Sequence, residues 1–240
     1  GGNNPKVVKA TVGALPALFK GSKYNKAVYV DLLAMLFEVL AKVRKEGLMS
    51  IENDVENPES SAIFGKYPLI SADHHVMEFI TDYLRMMVGG NLNALEIENL
   101  MDAEIETHHH EAEIPSHAVT RVADAMPAFG IVVAVMGVVN VMGSVGEPPP
   151  VLGKMIGGAL VGTFLGILSG YGFAAPIASL LEQKVDEGSK IFQVVKVVLL
   201  ASMSGYAPQV AVEFGRKVLF ANDRPSFLEL EGELKARKGR

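Results

Sequence analysis

The sequence predicts an all-α membrane protein in which a two-helix transmembrane hairpin lies between two helical cytoplasmic arms. Residues 125–146 and 155–181 carry no charged side chain, and only residues 147–154, which include three prolines, separate them. About 20 apolar residues in a helix cross the hydrocarbon core of a bilayer, so each run can span it once. Helices buried in a soluble bundle normally keep a polar stripe facing water, and these two runs have none.

The distribution of positive charge predicts that both arms lie in the cytoplasm. Of the 22 Lys and Arg residues, 11 precede residue 125, 10 follow residue 181, and Lys154 alone lies in the connection. Cytoplasmic segments are enriched in Lys and Arg, so both arms are assigned to that side. The chain therefore divides into a cytoplasmic helical region at residues 1–117, the hairpin at 118–181 and a C-terminal cytoplasmic helical region at 182–240.

The front arm is predicted to be helical throughout. Four stretches with apolar residues at helical spacing predict helices, at residues 7–19, 26–45, 72–88 and 93–106. The first is interrupted by Gly13 and Pro16, which makes it a short helix near a surface. The second is an amphipathic helix of about five turns, and Gly47 ends it. Residues 52–58 form an acidic, proline-containing turn.

The composition and the polar clusters exclude several classes of function. The chain has no cysteine, so it has neither disulfides nor thiolate metal sites. A net charge of −5 provides no basic field for a nucleic-acid partner. His108, His109 and His110 lie among glutamates and could bind a divalent metal, but adjacent histidines point in different directions on a helix. A polar connector is the preferred interpretation, and we expect no metal, no cofactor and no enzymatic activity.

Small residues recur at every fourth position of the second apolar run. The ridge consists of Gly158, Gly162, Gly166 and Gly170, followed by Ala174 and Ala178. Hydrophobicity does not drive helices together within lipid, so close van der Waals contact must do so, and small residues permit it. The ridge predicts a helix-packing surface. The alternative is that glycine is simply common in membrane helices.

Both runs contain a proline, and neither contains a group that changes charge near neutral pH. Pro127 and Pro176 each remove a backbone donor and favour a bend or a hinge. Thr163 and Tyr171 contribute hydroxyls that can order water or hydrogen-bond. If the hairpin conducts protons, the titrating carboxylate of the path must come from a partner. The C-terminal arm ends in a helix whose start is marked by Ser226 and Glu229, a capping box.

Several motifs resemble the flagellar motor stator A-subunit family, MotA, within the MotA/TolQ/ExbB proton channel superfamily. The most specific is RVADAMPAFG at residues 121–130, continuing to residue 139. Further similar segments lie in the second half, at residues 160–168, 205–208, 210–217 and 224–227. Others lie in the front arm, at residues 2–4, 22–24, 56–58, 100–102 and 104–107. The resemblance extends over essentially the whole chain.

The resemblance implies a stator subunit of the bacterial flagellar motor in the inner membrane. In that family a pentameric ring of A subunits surrounds a pair of B subunits, and an aspartate on the MotB-like transmembrane helix binds the proton. Pro127 and Pro176 match the prolines that couple ion passage to movement, and Thr163 matches the pore threonine. Ala134 occupies a position that is threonine in sodium-driven relatives, and its methyl group cannot coordinate a cation. The resemblance therefore favours protons.

Two charged residues of the front arm match the family's rotor contact. Arg44 and Glu52 correspond to the charged pair that meets the rotor protein FliG. Without the resemblance, the sequence pattern would indicate only solvated charges near a helix end. The family has two further transmembrane helices before the segment that matches Gly2-Asn-Asn4. The sequence is therefore expected to be a truncated A subunit.

Two competing functions remain open at the level of sequence. The first is a TolQ- or ExbB-type energiser, which shares the hairpin but acts on an outer-membrane partner. The second is a non-conducting membrane scaffold, whose glycine ridge only mediates assembly. The long front arm with Arg44 and Glu52 favours the motor subunit over the energiser.

Overall fold

The computed structural model describes residues 2–90 and 93–238, which contain helices and no strand. The α-helices are α1 (Pro5–Ala14), α2 (Lys26–Glu46), α3 (Glu52–Glu56), α4 (Pro68–Ser71), α5 (His74–Gly89), α6 (Ala94–Met142), α7 (Pro149–Ile167), α8 (Ala175–Met203), α9 (Pro208–Val218) and α10 (Phe227–Lys238). Short 3₁₀ segments lie at Leu15–Phe19, Leu48–Ile51, Pro58–Ser60 and Phe64–Lys66, and a π-helical turn at Leu168–Ala174 joins α7 to α8. The all-α prediction is confirmed.

The chain forms two compact units. The hairpin unit contains residues 2–21 and 110–185, and the core unit contains residues 22–109 and 186–238. Two long helices, α6 and α8, contribute residues to both.

The helices of the hairpin extend beyond the predicted apolar runs. α6 continues from Ala94 to Met142 without a break, and the turn to the next helix occupies only residues 143–148. α7 begins at Pro149, so six of the eight residues of the predicted connection are helical. Proline suits the first helical position because its missing N–H would have no partner there.

The prediction of a polar connector at residues 108–110 is wrong, because these residues lie within α6. The ring of His108 packs on Phe192 with a distance of 4.7 Å between centroids. His109 Nδ1 lies 2.9 Å from the Ser189 hydroxyl. These contacts are tertiary and supply partners that the local composition does not show.

The predicted helix at residues 26–45 is confirmed as α2, but it is more deeply buried than an amphipathic helix. The apolar positions that define its predicted stripe are all buried, at Val28, Leu32, Leu33, Met35, Leu36, Val39 and Leu40. Tyr29, Ala34 and Phe37 are buried as well. α2 is therefore the central helix of the core unit.

Glycine and proline set the ends of the front-arm helices. α2 ends at Glu46, and Gly47 has a φ of 87°, a conformation in which a side chain would be strained. Its N–H donates to the Val43 carbonyl at 2.9 Å. The helix predicted at residues 7–19 divides at Leu15 into α1 and a 3₁₀ segment that contains Pro16.

The predicted capping box at the start of α10 is confirmed. The Ser226 N–H donates to Glu229 at 2.6 Å, and the Glu229 N–H donates to the Ser226 hydroxyl at 3.2 Å. Lys26 of α2 donates to the same glutamate at 2.8 Å. The Lys26 hydrogen bond and the Ser226 bonds lower the pKa of Glu229 to about 2. The capping box fixes the start of α10, and the Lys26–Glu229 bond attaches it to the start of α2.

Asp73, at the start of α5, provides a test of stability against pH. It accepts the Tyr24 hydroxyl at 2.7 Å and pairs with Lys23 at 2.6 Å. Burial alone would raise the pKa of Asp73, but these bonds outweigh it and hold the pKa below its usual value. The stabilisation is therefore complete above about pH 5 and is lost as the pH falls below about 4.

We expect Asp73→Asn to lower the free energy of unfolding by about 1 kcal/mol at neutral pH. Melting temperatures of both proteins between pH 7 and pH 3 measure the difference, which should shrink below pH 4 because only the wild-type carboxylate becomes protonated. A difference that stays constant down to pH 3 would show that Asp73 acts through packing alone.

Candidate functional site

Three glycines of the predicted ridge lie against α6. A Cβ atom added to Gly170 would lie 2.6 Å from the Ala123 carbonyl oxygen and 2.9 Å from Cδ of Pro127. A Cβ atom added to Gly166 would lie 2.7 Å from the Met126 carbonyl oxygen. Contacts this short with backbone leave no space for a methyl group. The ridge therefore packs within the hairpin.

The ridge does not pack uniformly along its length. A Cβ atom added to Gly162 would lie 2.6 Å from a methyl group of Val133, whereas one added to Gly158 would meet no atom within 4 Å. Gly158 therefore lies outside the contact between the two helices, which the adjacent Ala159 makes at this level.

The first span contributes glycines of its own to this interface, which the ridge of the second span does not predict. A Cβ atom added to Gly130 would lie 2.8 Å from the Gly162 carbonyl oxygen, and one added to Gly137 would lie 2.5 Å from the Ala159 side chain. Gly130 and Gly137 are seven residues apart and so share one helix face. That spacing is the signal that could have identified them.

Thr163 lies at this glycine interface. Its hydroxyl donates to the Gly130 carbonyl at 3.4 Å, a long hydrogen bond that leaves capacity for another partner. Thr163 is half-buried, as is Ala134. Ala134 follows Gly130 by one turn and precedes Gly137 by three residues, so it lies on the same face of α6. Pro127 lies one turn before Gly130 and contacts the Gly170 position.

Tyr171 and Pro176 occupy a different setting, at the π-helical turn. Tyr171 lies inside this turn and is 59% exposed, and Pro176 follows it in the first turn of α8 and is exposed. The Ala175 N–H donates to the Gly170 carbonyl, five residues back. Pro176 has no N–H, so the helix changes its hydrogen-bond register where a regular bond cannot form. Pro176 predicts a break at this point, but the sequence does not indicate its π-helical form.

Arg44 and Glu52 lie on the core unit, at the end of α2 and the start of α3. Both are exposed. Within residues 2–90 and 93–238, the side chain of neither makes a hydrogen bond or an ion pair, although most neighbouring charges do. Both charges are thus available to an external partner.

Comparison with known proteins identifies the family. The MotA/TolQ/ExbB proton channel family matches residues 71–194, and the motility protein A N-terminal family matches residues 1–47. Motility protein A of Escherichia coli K12 is 55% identical over 237 residues, covering 99% of this chain and 80% of that protein. This chain belongs to the MotA/TolQ/ExbB proton channel family.

Two solved structures share the fold of this family member. The structure of the flagellar MotAB stator complex from Bacillus subtilis is 26% identical, with a TM-score of 0.67, and the match covers 98% of this chain and 80% of that one. The C. jejuni MotAB structure, at 22% identity, matches in fold with a TM-score of 0.70, over 94% of this chain and 80% of that one.

Membership of the MotA/TolQ/ExbB family makes the chain a membrane protein. In the described residues, two helical stretches are long and apolar enough to cross a bilayer, Ala94–Met142 and Pro149–Met203. Only 11% and 6% of their most apolar windows are buried within the chain. The apolar side chains that remain exposed include Val132, Met136, Leu160 and Phe164. Lipid or neighbouring helices are the environment that such a surface requires.

Proposed function

We infer that this chain is a stator subunit of the bacterial flagellar motor, which forms a proton channel with a B subunit and converts ion flow into torque on the rotor. The observation that carries this inference is the Thr163 hydroxyl at a glycine-packed hairpin interface, in a chain 55% identical to a motility protein A. A TolQ- or ExbB-type energiser is not favoured, because the motility protein A N-terminal family also matches residues 1–47.

The B subunit supplies the titrating group of the path. Residues 125–146 and 155–181 contain neither a carboxylate nor a histidine, so no side chain in them gains or loses a proton near neutral pH. A MotB-like helix with an intramembrane aspartate provides one. The proposed site on this chain comprises Pro127, Ala134, Thr163, Tyr171 and Pro176, of which Pro127 and Thr163 lie at the hairpin interface.

Protons are the proposed ion, because a sodium ion stripped of water requires several oxygen ligands. Ala134 presents a methyl group where a hydroxyl would serve as a ligand, and it shares its helix face with Gly130, which has no side chain. The nearby Thr163 hydroxyl is directed to the Gly130 carbonyl. This set of groups can order water but offers few ligands to a cation.

The rotor contact is proposed to be made by Arg44 and Glu52 with the protein FliG. Their exposure, and the lack of side-chain partners in the described residues, support this role. Exposed charges contribute little to tight binding, but they set orientation and association rate. In the proposed assembly the A subunits form a pentameric ring in the inner membrane, with both arms in the cytoplasm.

The test is Thr163→Val in the full-length subunit, coexpressed with its B subunit in a strain that lacks its own A subunit. Valine keeps the shape of threonine and removes the hydroxyl. We expect the complex to assemble in normal amount and its proton flux to fall severalfold, with a matching loss of swimming. Thr163→Ser is the control, because it keeps the hydroxyl and should retain flux. Unchanged flux in Thr163→Val would remove Thr163 from the proton path.

A further inference from the structure

A buried carboxylate lies next to Glu52, one of the two exposed charges of the proposed rotor contact. Asp54 belongs to α3, two residues after Glu52, and only 7% of it is exposed. It accepts the Lys42 ammonium at 2.7 Å and the Ser61 hydroxyl at 2.6 Å. Lys42 lies in the final turns of α2, two residues before Arg44. One carboxylate therefore joins the segment that carries Glu52 to the helix end that carries Arg44.

The Ser61 hydroxyl extends this network to the next segment of chain. It accepts the backbone N–H groups of Ile63 and Phe64, each at 3.2 Å. Ser61 is buried, and the side chain of Phe64 is fully buried. The carboxylate of Asp54 is thus held from both sides, by a cation of α2 and by a hydroxyl anchored to the core.

Without Asp54, the segment with Glu52 has weak internal support. α3 contains five residues, and a helix this short is not stable by itself. The turn at Gly47 links it to α2, but a single turn does not fix the distance between Arg44 and Glu52, which are eight residues apart. Ile51 and Val55 are buried and attach one side of the segment. Among the side-chain hydrogen bonds and ion pairs of residues 2–90 and 93–238, the Lys42–Asp54 pair is the one that joins α3 directly to the end of α2.

We propose that Asp54 is a positioning residue for the rotor contact: its hydrogen bonds to Lys42 and Ser61 fix the spacing of Arg44 and Glu52. The inference rests on the proposed role of those two charges. Asp54 itself does not contact the rotor in this proposal, because its side chain is buried. Charge-based orientation depends on the distance between the charges, so a loosened α3 would weaken the contact without removing either charge.

The core unit offers a closely matched control. Glu38, on α2, likewise accepts hydrogen bonds from a lysine and a hydroxyl, from Lys66 at 2.7 Å and from Tyr67 at 2.7 Å. Glu38→Gln and Asp54→Asn therefore remove equivalent charges from equivalent networks. Only Asp54 joins the segments that carry Arg44 and Glu52. The amide variants are preferable to removal of a lysine, which would leave a buried carboxylate unpaired.

The first measurement is the torque of tethered cells that express the full-length subunit with its B partner. We expect Asp54→Asn to lower torque about two- to fivefold, the scale of one exposed ion pair. The amount of assembled complex and its proton flux should be unchanged. Glu38→Gln should leave torque unchanged. Equal losses in the two variants would overturn the inference, because both would then act through stability.

The second measurement separates positioning from the rotor contact itself. Arg44→Glu should lower torque, and a charge reversal on the rotor protein should restore it. In the Asp54→Asn background that restoration should be lost, because the charges no longer meet in register. If the rotor variant still restores torque in the Asp54→Asn background, the positioning role of Asp54 is wrong, and the rotor contact of Arg44 stands. Normal torque in Arg44→Glu by itself would show that the rotor contact is wrong, and the positioning role with it.

Discussion

Replacing Gly170 with alanine should abolish swimming. The new methyl group would lie 2.6 Å from the Ala123 carbonyl oxygen and 2.9 Å from the Pro127 ring. Backbone and a proline ring cannot move aside, so the two helices must separate. Helix association in lipid depends on this close contact, and Pro127 belongs to the proposed coupling site. Swimming of a complemented strain, with the amount of complex in the membrane, measures the effect.

Gly158→Ala is the matched control. Both glycines lie on the same ridge, and both alanines gain helix propensity by about 0.5–1 kcal/mol. The methyl group at residue 158 meets no atom of the described residues within 4 Å, so swimming should remain close to normal. If Gly158→Ala were as harmful as Gly170→Ala, the important face of the ridge would be one that meets another subunit.

Gly215→Ala should destabilise the core unit by about 1–3 kcal/mol, the usual cost of an extra methyl group in a packed core. Gly215 lies in α9, and a Cβ atom there would lie 2.4 Å from a methyl group of Val198 and 3.0 Å from Leu33. Val198 and Leu33 are fully buried, and a β-branched valine has little rotamer freedom. The melting temperature of the purified complex should fall by roughly 2–4 °C per kcal/mol.

Two further variants isolate the cause. Gly232→Ala, within α10, has nothing within 4 Å of the new methyl group and should raise the melting temperature slightly. Val198→Ala removes the methyl group that collides. The Gly215→Ala, Val198→Ala double variant should therefore be more stable than the sum of the single effects. Strict additivity would contradict a collision at Val198.

The features that the sequence predicts well are those set by long, uniform patterns. Two charge-free runs predict the hairpin, and helical spacing of apolar residues predicts α2 within one residue of its observed end. The Ser226 capping box is a local interaction and is likewise predictable. The family-level function follows from motifs such as residues 121–130. None of these requires knowledge of which segments meet in space.

Contacts between distant segments could not be predicted in the same way. Helical spacing indicated a ridge from Gly158 to Gly170, but not that Gly130 and Gly137 oppose it or that Gly158 lies outside the contact. Polarity around His108 predicted a connector, whereas packing on Phe192 favours a helix. The Lys42–Asp54 pair depends on the path of the chain after Gly47. Each case needs a partner that only the fold provides.

The π-helical turn at Leu168–Ala174 gives the second span a property that a regular helix lacks. One extra residue is accommodated locally in this turn, while the α-helix on either side stays intact. Such a turn can move along the helix by exchanging one backbone hydrogen bond at a time, which costs far less than breaking all the hydrogen bonds of the helix. Here each step would swap an i→i+5 bond for an i→i+4 bond and turn one residue by about 100° around the axis. The second span can therefore change the rotation of one half of the helix relative to the other at a defined point, just before Pro176.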